Sequence, residues 1–394
     1  MENKTVLLFI LDSINNIGDS LLGKTTEYLV KQSTIKTNII HGQLIPNRSC
    51  VKGLYKIDWF IGSIIRLLSK LFRGNFEYKI KNIAYKIEFT RYYSNLIRKA
   101  DKIILPVGML KYSTQNFSYV FHLINRIASK YNKNVLMSAM SPQKRNESDW
   151  RYHQLVEAVN LPSVKIITSR DGQNGVNIIK SDYLRKEICC DYVGDPALWI
   201  PETFGIEINR QKTNIKRPIV GINIIRKGIF DDYNQAISDD DLYKLYVKLI
   251  KLIDDKGWDY KLFCNGMKSD FIVLHELQEK LGLSENHIVQ NYLNGKEYAE
   301  MIANFDVVFG ARLHSCITSV AVATPVVGFI WDEKLKYFSE TMGISKFFFD
   351  PKTMSAEKIM NALKEVMDYE FDFTNKEKYK NKTSMYIRNF IENN

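Results

Sequence analysis

An arginine and a histidine two positions apart, Arg312 and His314, stand between an apolar run and a segment of small residues. The run Asp306 to Gly310 predicts a strand, and Ser315 to Ala323 predicts a tightly packed helix. Both side chains would then lie where a strand ends and a helix begins, a position at which open α/β sheets bind ligands. A helix N-terminus and a guanidinium favour anions, and an imidazole titrates near neutral pH. The pattern predicts a site that binds an anion and moves protons.

A second cationic group follows another predicted strand, Ile219 to Ile224. Arg226 and Lys227 come after this strand, at the same edge of the predicted sheet. Two or three cations there can hold a phosphate and a carboxylate together. A solvated basic loop explains the pair equally well. Lys334, in the first turn of a predicted helix, could reach the same site or face solvent.

A polar turn, Asn16-Ile17-Gly18-Asp19, follows the first predicted strand and precedes a helix. Gly18 permits a tight turn, and Asp19 could accept a proton from a hydroxyl group. Ordinary capping of the helix is the alternative, since Asp and Asn are common in front of helices. Taken alone, the position favours capping.

Two further polar residues are candidates for contact with a substrate. Asn265, in Cys264-Asn265-Gly266, ends a predicted strand and gives a weak signal for an anion-binding turn. Ser315 follows His314 directly. Ligand spacing such as H-x-x-x-H is absent from the sequence, so we expect no required metal.

Apolar runs alternate with helical patterns along the chain, which predicts an α/β, doubly wound fold. A chain of 394 residues is too long for one core, and its polar segment 201–218 loses periodicity. We therefore expect a Rossmann-like N-terminal domain at 1–205 and a Rossmann-like C-terminal domain at 216–372. The last segment, 373–394, is predicted to be a helix that packs back on the first domain.

A basic amphipathic insertion occupies residues 55–98. Within it, Ser63, Arg66, Lys70 and Arg73 fall on one helical face, and large apolar side chains cover the rest. This pattern suits a helix lying on an anionic membrane. A core helix with snorkelling cations is an equal alternative.

The net charge of +11 indicates anionic partners, but no nucleic-acid motif accompanies it, so nucleic acid is not expected. The five cysteines show no C-x-x-C spacing, which favours reduced thiols and a cytoplasmic protein. No signal peptide or transmembrane stretch is expected. The predicted location is therefore cytoplasmic, peripheral at the inner face of the membrane.

Several of these segments resemble the polysaccharide pyruvyltransferase family. In chain order they are Asn16 to Asp19, Ser169-Arg170-Asp171, Asp195-Pro196-Ala197, and a C-terminal signature made of ARLHS, A-x-A-T-P-V-V-G and Trp331 to Lys334. The sequence departs from the pattern at Pro106-Val107-Gly108-Met109, where many members carry a Gly-Gly pair. Residues 45–98 have no clear counterpart.

The resemblance implies two Rossmann-like domains facing a cleft, the glycosyltransferase-B architecture. It also implies transfer of a pyruvyl group from phosphoenolpyruvate to a sugar, which forms a cyclic ketal during biosynthesis of a capsule or exopolysaccharide. The acceptor in this family is often a lipid-linked saccharide. His314 would be the acid and base, Asp19 the base on the acceptor side, and Arg312 with Arg226 the donor's anion binders. No cofactor is implied.

Two alternatives remain at this point. A nucleotide-sugar glycosyltransferase of the same architecture would use Arg226 and Lys334 to hold a diphosphate. A non-catalytic scaffold at the membrane surface of a polysaccharide assembly complex would not need the retained Arg-x-His loop.

Overall fold

A computed structural model describes residues 3–11, 16–47, 55–113, 116–208, 216–232, 237–289 and 293–393. The chain divides into two compact units. The first comprises Met1–Asp12, Thr26–Gly194 and Lys382–Asn394, and the second comprises Ser13–Thr25 and Asp195–Asn381. Each unit is built on a parallel sheet with alternating helices, so the prediction of an α/β protein with two Rossmann-like domains is confirmed.

The first unit contains a six-stranded parallel sheet in the order β2-β1-β3-β4-β5-β6. Its strands are β1 Lys4–Ile10, β2 Thr37–Gln43, β3 Lys102–Leu105, β4 Asn134–Met140, β5 Val164–Ser169 and β6 Cys189–Tyr192. Its helices are α1 Ile17–Lys31, which begins in the second unit, α2 Tyr55–Ser69, α3 Asn75–Lys99, α4 Phe117–Lys130, α5 Trp150–Val159 and α6 Gly172–Ile178. The strand β3 is buried along its whole length, as expected for a central strand of a parallel sheet.

The second unit contains a five-stranded parallel sheet in the order β11-β10-β9-β7-β8. Its strands are β7 Ile219–Asn223, β8 Asp259–Phe263, β9 Val307–Gly310, β10 Val326–Phe329 and β11 Phe348–Phe349. Its helices are α7 Ile200–Phe204, α8 Ile229–Asp232, α9 Asp239–Asp255, α10 Lys268–Leu281, α11 Gly295–Asn304, α12 Leu313–Ala321, α13 Glu333–Met342 and α14 Ala356–Met367, followed by α15 Thr374–Glu392.

When each sheet is numbered from its own first strand, the five strands of the second sheet have the same order as the first five strands of the first. The second strand pairs with one side of the first, and the third strand pairs with the other side. In the second unit this puts β7 beside β9, with Ile222 opposite Phe309. The order of strands reverses at this pair, because β8 extends the sheet on one side of β7 and β9 extends it on the other. Ligand sites of open α/β sheets lie outside the carboxyl ends of such a pair. The fold therefore marks the ends of β7 and β9 as a candidate site.

The division of the chain differs from the predicted one in two places. The structure separates the units at Gly194 and Asp195, whereas the sequence predicted the boundary between 205 and 216. The physical reason is that Leu198 and Ile200 are buried in the core of the second unit. The start of α1 also belongs to the second unit, because Ile17 and Leu21 are part of the same core.

The C-terminal helix α15 joins the first unit from Lys382 onward. Ile387 and Ile391 are fully buried there. The ammonium group of Lys4 donates to the carbonyl of Ile391 at 3.1 Å, and that of Lys102 donates to the carbonyl of Asn393 at 2.7 Å. These contacts fix the end of the chain beside β1 and β3.

The helices α2 and α3 form a hairpin inserted between β2 and β3. Helix α3 packs on the sheet through the buried side chains of Phe89, Tyr93 and Ile97. None of the helices in the described part of the chain is long and apolar enough to cross a membrane.

Candidate functional site

The residues predicted to do chemistry gather at the carboxyl ends of β7 and β9, in the second unit. Asn223 ends β7, and Gly310 ends β9. Arg312 is the N-cap residue of α12, and His314 lies in the first turn of that helix. The small residues after His314 let α12 pack closely on the sheet, because Ser315, Cys316 and the following residues to Ala321 are all buried.

A buried asparagine, Asn223, connects the two strand ends. Its side-chain oxygen accepts hydrogen bonds from the Arg312 backbone N–H at 2.8 Å and from the Ser315 hydroxyl at 3.0 Å. Its side-chain nitrogen donates to the Asn265 side-chain oxygen at 3.0 Å. A fully buried amide with partners on both sides fixes the loop that carries Arg312. Sequence reasoning missed Asn223, although an asparagine inside an apolar strand was a usable signal.

Arg312 is held by a buried carboxylate that the sequence did not reveal. Its Nη2 and Nε donate to the two oxygens of Asp270 at 2.5 and 3.1 Å, and Asp270 is completely buried. The guanidinium carbon also lies 5.8 Å from the centre of the Trp331 ring. This bidentate geometry fixes the plane of the guanidinium and leaves its Nη1 edge without a hydrogen bond among the described residues. Only that edge can take an anion without breaking the pair.

Two of the other three predicted cations also have carboxylate partners. Arg226 forms an ion pair with Asp232, and Lys227 lies 2.5 Å from Glu276. The hydrogen bond to Glu276 raises the pKa of Lys227. The Arg226 backbone N–H donates to Asp270 at 2.9 Å, so this loop is tied to the carboxylate that holds Arg312. The described site is therefore a set of ion pairs, and an anion has to compete with carboxylates for Arg226 and Lys227.

His314 lies between a glycine and an aspartate. A Cβ atom added at Gly18 would fall 2.1 Å from the ring nitrogen Nδ1, so only glycine allows the imidazole to lie where it does. On the other side, Nε2 is 3.8 Å from Oδ2 of Asp195. Asp195 is itself fixed, because its Oδ1 accepts from the Ala197 backbone N–H at 2.8 Å. The carboxylate offers a partner for a positive charge on the ring.

Asp195 was not among the predicted site residues, although its segment was part of the family pattern. Its side chain is buried to 3% exposure, and that of His314 to 12%. The two residues are 119 positions apart in the sequence. Only the fold brings them together, since α12 follows β9 and Asp195 begins the second and longer segment of the same unit.

The turn that carries Asn16, Gly18 and Asp19 belongs to the same unit as His314. The Ile17 backbone N–H donates to the Asn265 carbonyl at 3.0 Å. The Asn16 side chain accepts from the Gly18 N–H at 3.2 Å and donates to Asp19 Oδ2 at 3.0 Å. Asn16 therefore performs the capping that the sequence left open for Asp19, and Asp19 lies half-buried in the first turn of α1.

The three remaining predicted residues lie at or beside the site. Asn265 is buried, and its side-chain oxygen accepts from the Tyr298 hydroxyl at 2.9 Å as well as from Asn223. Ser315 is fully buried, and its single hydroxyl proton lies between the Arg312 carbonyl at 2.6 Å and the Asn223 side-chain oxygen at 3.0 Å. Both side chains hold the loops in place. Lys334 is half-buried in the first turn of α13, behind the N-cap residue Asp332.

Within the described ranges, no three His, Cys, Asp or Glu side chains lie close enough together to hold a metal ion. The arrangement instead offers an oriented imidazole, an adjoining carboxylate and a fixed guanidinium at the start of a helix. Such groups can transfer a proton to a bound anion and stabilise the charge that forms.

Solved structures of several sugar enzymes share this fold at low sequence identity. UDP-GlcNAc 2-epimerase of Methanocaldococcus jannaschii is 11% identical, with a TM-score of 0.59 over 98% of this chain and 99% of that chain. UDP-GlcNAc 2-epimerase of Neisseria meningitidis, bound to UDP-GlcNAc, is 9% identical, with a TM-score of 0.54 over 99% and 98%. The N-terminal domain of Candida albicans trehalose-6-phosphate phosphatase is 11% identical, with a TM-score of 0.53 over 98% and 96%. These likenesses establish the fold alone and confirm the glycosyltransferase-B-like class.

No curated protein matches the chain. A family model described as polysaccharide pyruvyl transferase matches residues 16–333, which include the turn at Asn16, the Asp195 segment and the Arg312–His314 loop. The resemblance read from these segments is thereby confirmed. This chain belongs to the polysaccharide pyruvyl transferase family.

Proposed function

We propose that this protein transfers a pyruvyl group from phosphoenolpyruvate to two hydroxyl groups of one sugar, forming a cyclic ketal. The observation that supports this most strongly is the setting of His314, held between Gly18 and Asp195 and two residues from a fixed guanidinium. The reaction needs a proton donor beside an anion-binding group, and this pair of residues offers both.

The proposed reaction begins with protonation of the methylene carbon of phosphoenolpyruvate, which makes C2 electrophilic. One sugar hydroxyl adds to C2 and loses its proton. The C2–O bond to phosphate then breaks, and the second hydroxyl adds in its place and loses its proton. Of the two hydroxyl protons, one balances the proton placed on the methyl group and the other leaves with phosphate. An acid at the methylene, cations at the phosphate and carboxylate, and a base at the hydroxyls would each lower the barrier.

We assign His314 as the acid that protonates the methylene carbon. Asp195 would stabilise the imidazolium before transfer and hold the ring in one orientation. Asp19, half-buried one residue from Gly18, is the proposed base for the acceptor hydroxyl. Asn16 would orient this carboxylate through its hydrogen bond at 3.0 Å.

The donor's anionic groups would bind at the Nη1 edge of Arg312 and the N-terminus of α12. Arg226 and Lys227 would join them by exchanging Asp232 and Glu276 for the donor's phosphate, because a dianion attracts a cation more strongly than a single carboxylate does. Lys334 would add charge from the first turn of α13. No metal or other cofactor is part of the proposal, and the proposed acceptor is a saccharide carried on a lipid.

The test is incubation of the protein with phosphoenolpyruvate and a panel of saccharide acceptors, followed by mass spectrometry and a phosphate assay. We expect the mass gain of one pyruvyl ketal together with release of one phosphate per product. A parallel set of reactions receives UDP-GlcNAc as the donor. Transfer of the sugar from that donor, with none from phosphoenolpyruvate, would replace the proposal by glycosyl transfer.

A further inference from the structure

The α2–α3 hairpin exposes a large apolar surface. Of the thirteen large apolar side chains that are exposed in the described part of the chain, ten lie between Ile57 and Ile83. They are Ile57, Phe60, Ile61, Ile64, Leu67, Leu68, Leu71, Phe72, Phe76 and Ile83, and Leu71 reaches 77% exposure. Monomeric soluble proteins rarely expose a contiguous apolar patch without using it.

Two charged side chains of α2, Asp58 and Arg66, point the opposite way, towards α3. Arg66 lies 3.0 Å from Glu88, whose side chain is fully buried, and Asp58 pairs with Arg91 of α3 at 3.3 Å. Gly62 lies so close to α3 that an added Cβ would fall 2.0 Å from Glu88 Cγ. The hairpin is thus held together by ion pairs on its inner side and presents its apolar side outward, the reverse of a core helix.

This arrangement corrects the predicted basic stripe. The sequence grouped Arg66 with Lys70 and Arg73, whereas the structure turns Arg66 inward to Glu88 and Ser63. The alternative that α2 is a core helix is also wrong, because its large apolar side chains are exposed.

The charge around the apolar surface is strongly positive. Residues 55–99 contain ten Lys or Arg and three Asp or Glu, so this segment holds seven of the eleven net positive charges of the chain. The three carboxylates, Asp58, Glu77 and Glu88, are each paired inside the hairpin. No ion pair is found in the described residues for four exposed cations at the rim, which are Lys56, Lys70, Arg73 and Lys79.

We propose that this hairpin docks the protein on an anionic lipid bilayer, with the apolar side of α2 in the interface and the rim cations on lipid phosphates. Charge complementarity favours this occupant over a second copy of the chain. A second copy would bring the same cations and no unpaired hairpin carboxylate to meet them. A bilayer rich in anionic lipid supplies both an apolar layer and negative charge.

The surface would place the enzyme where a lipid-linked saccharide is carried, and this last step alone rests on the proposed function. Docking itself does not depend on catalysis. A helix of fifteen residues lying flat is about 22 Å long, enough to enter the interface along its length but not to span it. Binding should therefore be reversible and sensitive to salt.

The experiment is co-sedimentation of the full chain with vesicles of phosphatidylglycerol mixed with phosphatidylcholine, and with vesicles of phosphatidylcholine alone. Two variants test separately how the apolar side chains and the rim cations contribute to binding. The apolar variant is Ile64→Asn, Leu67→Asn, Leu68→Asn, and the charge variant is Lys56→Gln, Lys70→Gln, Arg73→Gln. All six side chains lie on the surface or at its rim, so folding should persist, which circular dichroism checks.

We expect the wild type to bind the phosphatidylglycerol vesicles at low salt and to bind phosphatidylcholine vesicles far more weakly. The charge variant should lose affinity on the order of 100-fold, since each rim cation contributes about fivefold near an anionic surface. The apolar variant should lose detectable sedimentation. Matched controls change equal or similar groups elsewhere: Lys251→Gln, Lys256→Gln, Lys261→Gln for charge, and Ile272→Asn, Met385→Asn for exposed apolar residues.

Two outcomes would overturn the proposal. One is a folded wild type that ignores phosphatidylglycerol vesicles at low salt. The other is a stable dimer by light scattering that the apolar variant dissociates and that does not bind vesicles, which would make the surface an interface between copies. Pyruvyl transfer to a water-soluble acceptor would survive either outcome, so failure here is distinct from failure of the proposed function.

Discussion

The contact between Gly18 and His314 offers the sharpest single substitution. In Gly18→Ala, the new methyl carbon would lie 2.1 Å from Nδ1 of the imidazole, and the ring would have to withdraw by about 1.3 Å to reach the ordinary contact distance of 3.4 Å. A displacement of about 1 Å of a catalytic group can cost on the order of 10²-fold in rate. We therefore expect kcat to fall roughly 100-fold.

The fold should survive this change. Gly18 lies in the first turn of α1, where alanine is a better helix former by up to about 1 kcal/mol. The atoms that would have to move are the ring atoms of a side chain and not backbone, so the path of the chain need not change. Ser20→Ala in the same turn is the matched control, and it should leave both the rate and the melting temperature nearly unchanged.

The assay is the rate of phosphate release from phosphoenolpyruvate in the presence of an acceptor, with circular dichroism to verify folding. A double-mutant cycle with His314→Ala tests whether Gly18→Ala lowers the rate by displacing the His314 ring or by a different effect. If Gly18 acts through His314, Gly18→Ala should cost nothing further in a His314→Ala background, because the clash is gone. A folded Gly18→Ala protein with normal kcat would refute the role given to the ring's position.

Four further outcomes are expected. Arg312→Lys keeps the charge but loses the fork that faces Asp270, so titration should show phosphoenolpyruvate affinity reduced by roughly tenfold or more; unchanged affinity would place the donor elsewhere. Asp270→Asn leaves Arg312 without its buried carboxylate and should lower the free energy of unfolding by about 3 kcal/mol in urea titration. Burial raises the pKa of Glu88 to about 7, against the opposing effect of Arg66, so its carboxyl binds protons more readily when folded. The contribution of Glu88 to stability should therefore be complete below its ordinary pKa of 4.5 and be lost as pH rises through about 7. Glu88→Gln should remove this contribution to the difference between the free energies of unfolding at pH 5 and pH 8. Activity should persist in excess EDTA, and its loss with recovery on adding Mg²⁺ would contradict the metal-free proposal.

The central strands of both sheets were predictable from sequence, because parallel strands buried on both faces are continuous apolar runs. The three strands that sequence reasoning missed, β2, β6 and β11, all lie at the edge of a sheet. Edge strands bury less, and β2 reads Thr-Asn-Ile-Ile-His-Gly-Gln, in which only Gly42 is fully buried.

The site was predictable in its local parts and unpredictable in its long-range pairs. The ends of β7 and β9 and the loop of Arg312 and His314 follow from apolar runs and turn residues. The carboxylates that orient them do not, because Asp270 and Asp195 lie 42 and 119 residues away from their partners in sequence. Tertiary structure alone decides that Arg312 pairs with Asp270 and Lys227 with Glu276.

The α2 helix shows the same limit of prediction from sequence. The helical period of its apolar residues could be recognised in the sequence. Periodicity defines an apolar face and a polar face, but it does not say which one faces the protein. The structure settles this through Glu88, a buried carboxylate on α3 that draws Arg66 inward.

The most direct test of the account is the reaction in deuterium oxide, with wild type and His314→Ala compared by mass spectrometry. If His314 protonates the methylene carbon of phosphoenolpyruvate, the wild-type product should carry a pyruvyl ketal with one deuterium in its methyl group. The folded His314→Ala protein should form that product about 10² to 10⁴ times more slowly. A ketal formed at the wild-type rate by His314→Ala would contradict the account, as would wild-type product whose methyl group carries no deuterium from solvent.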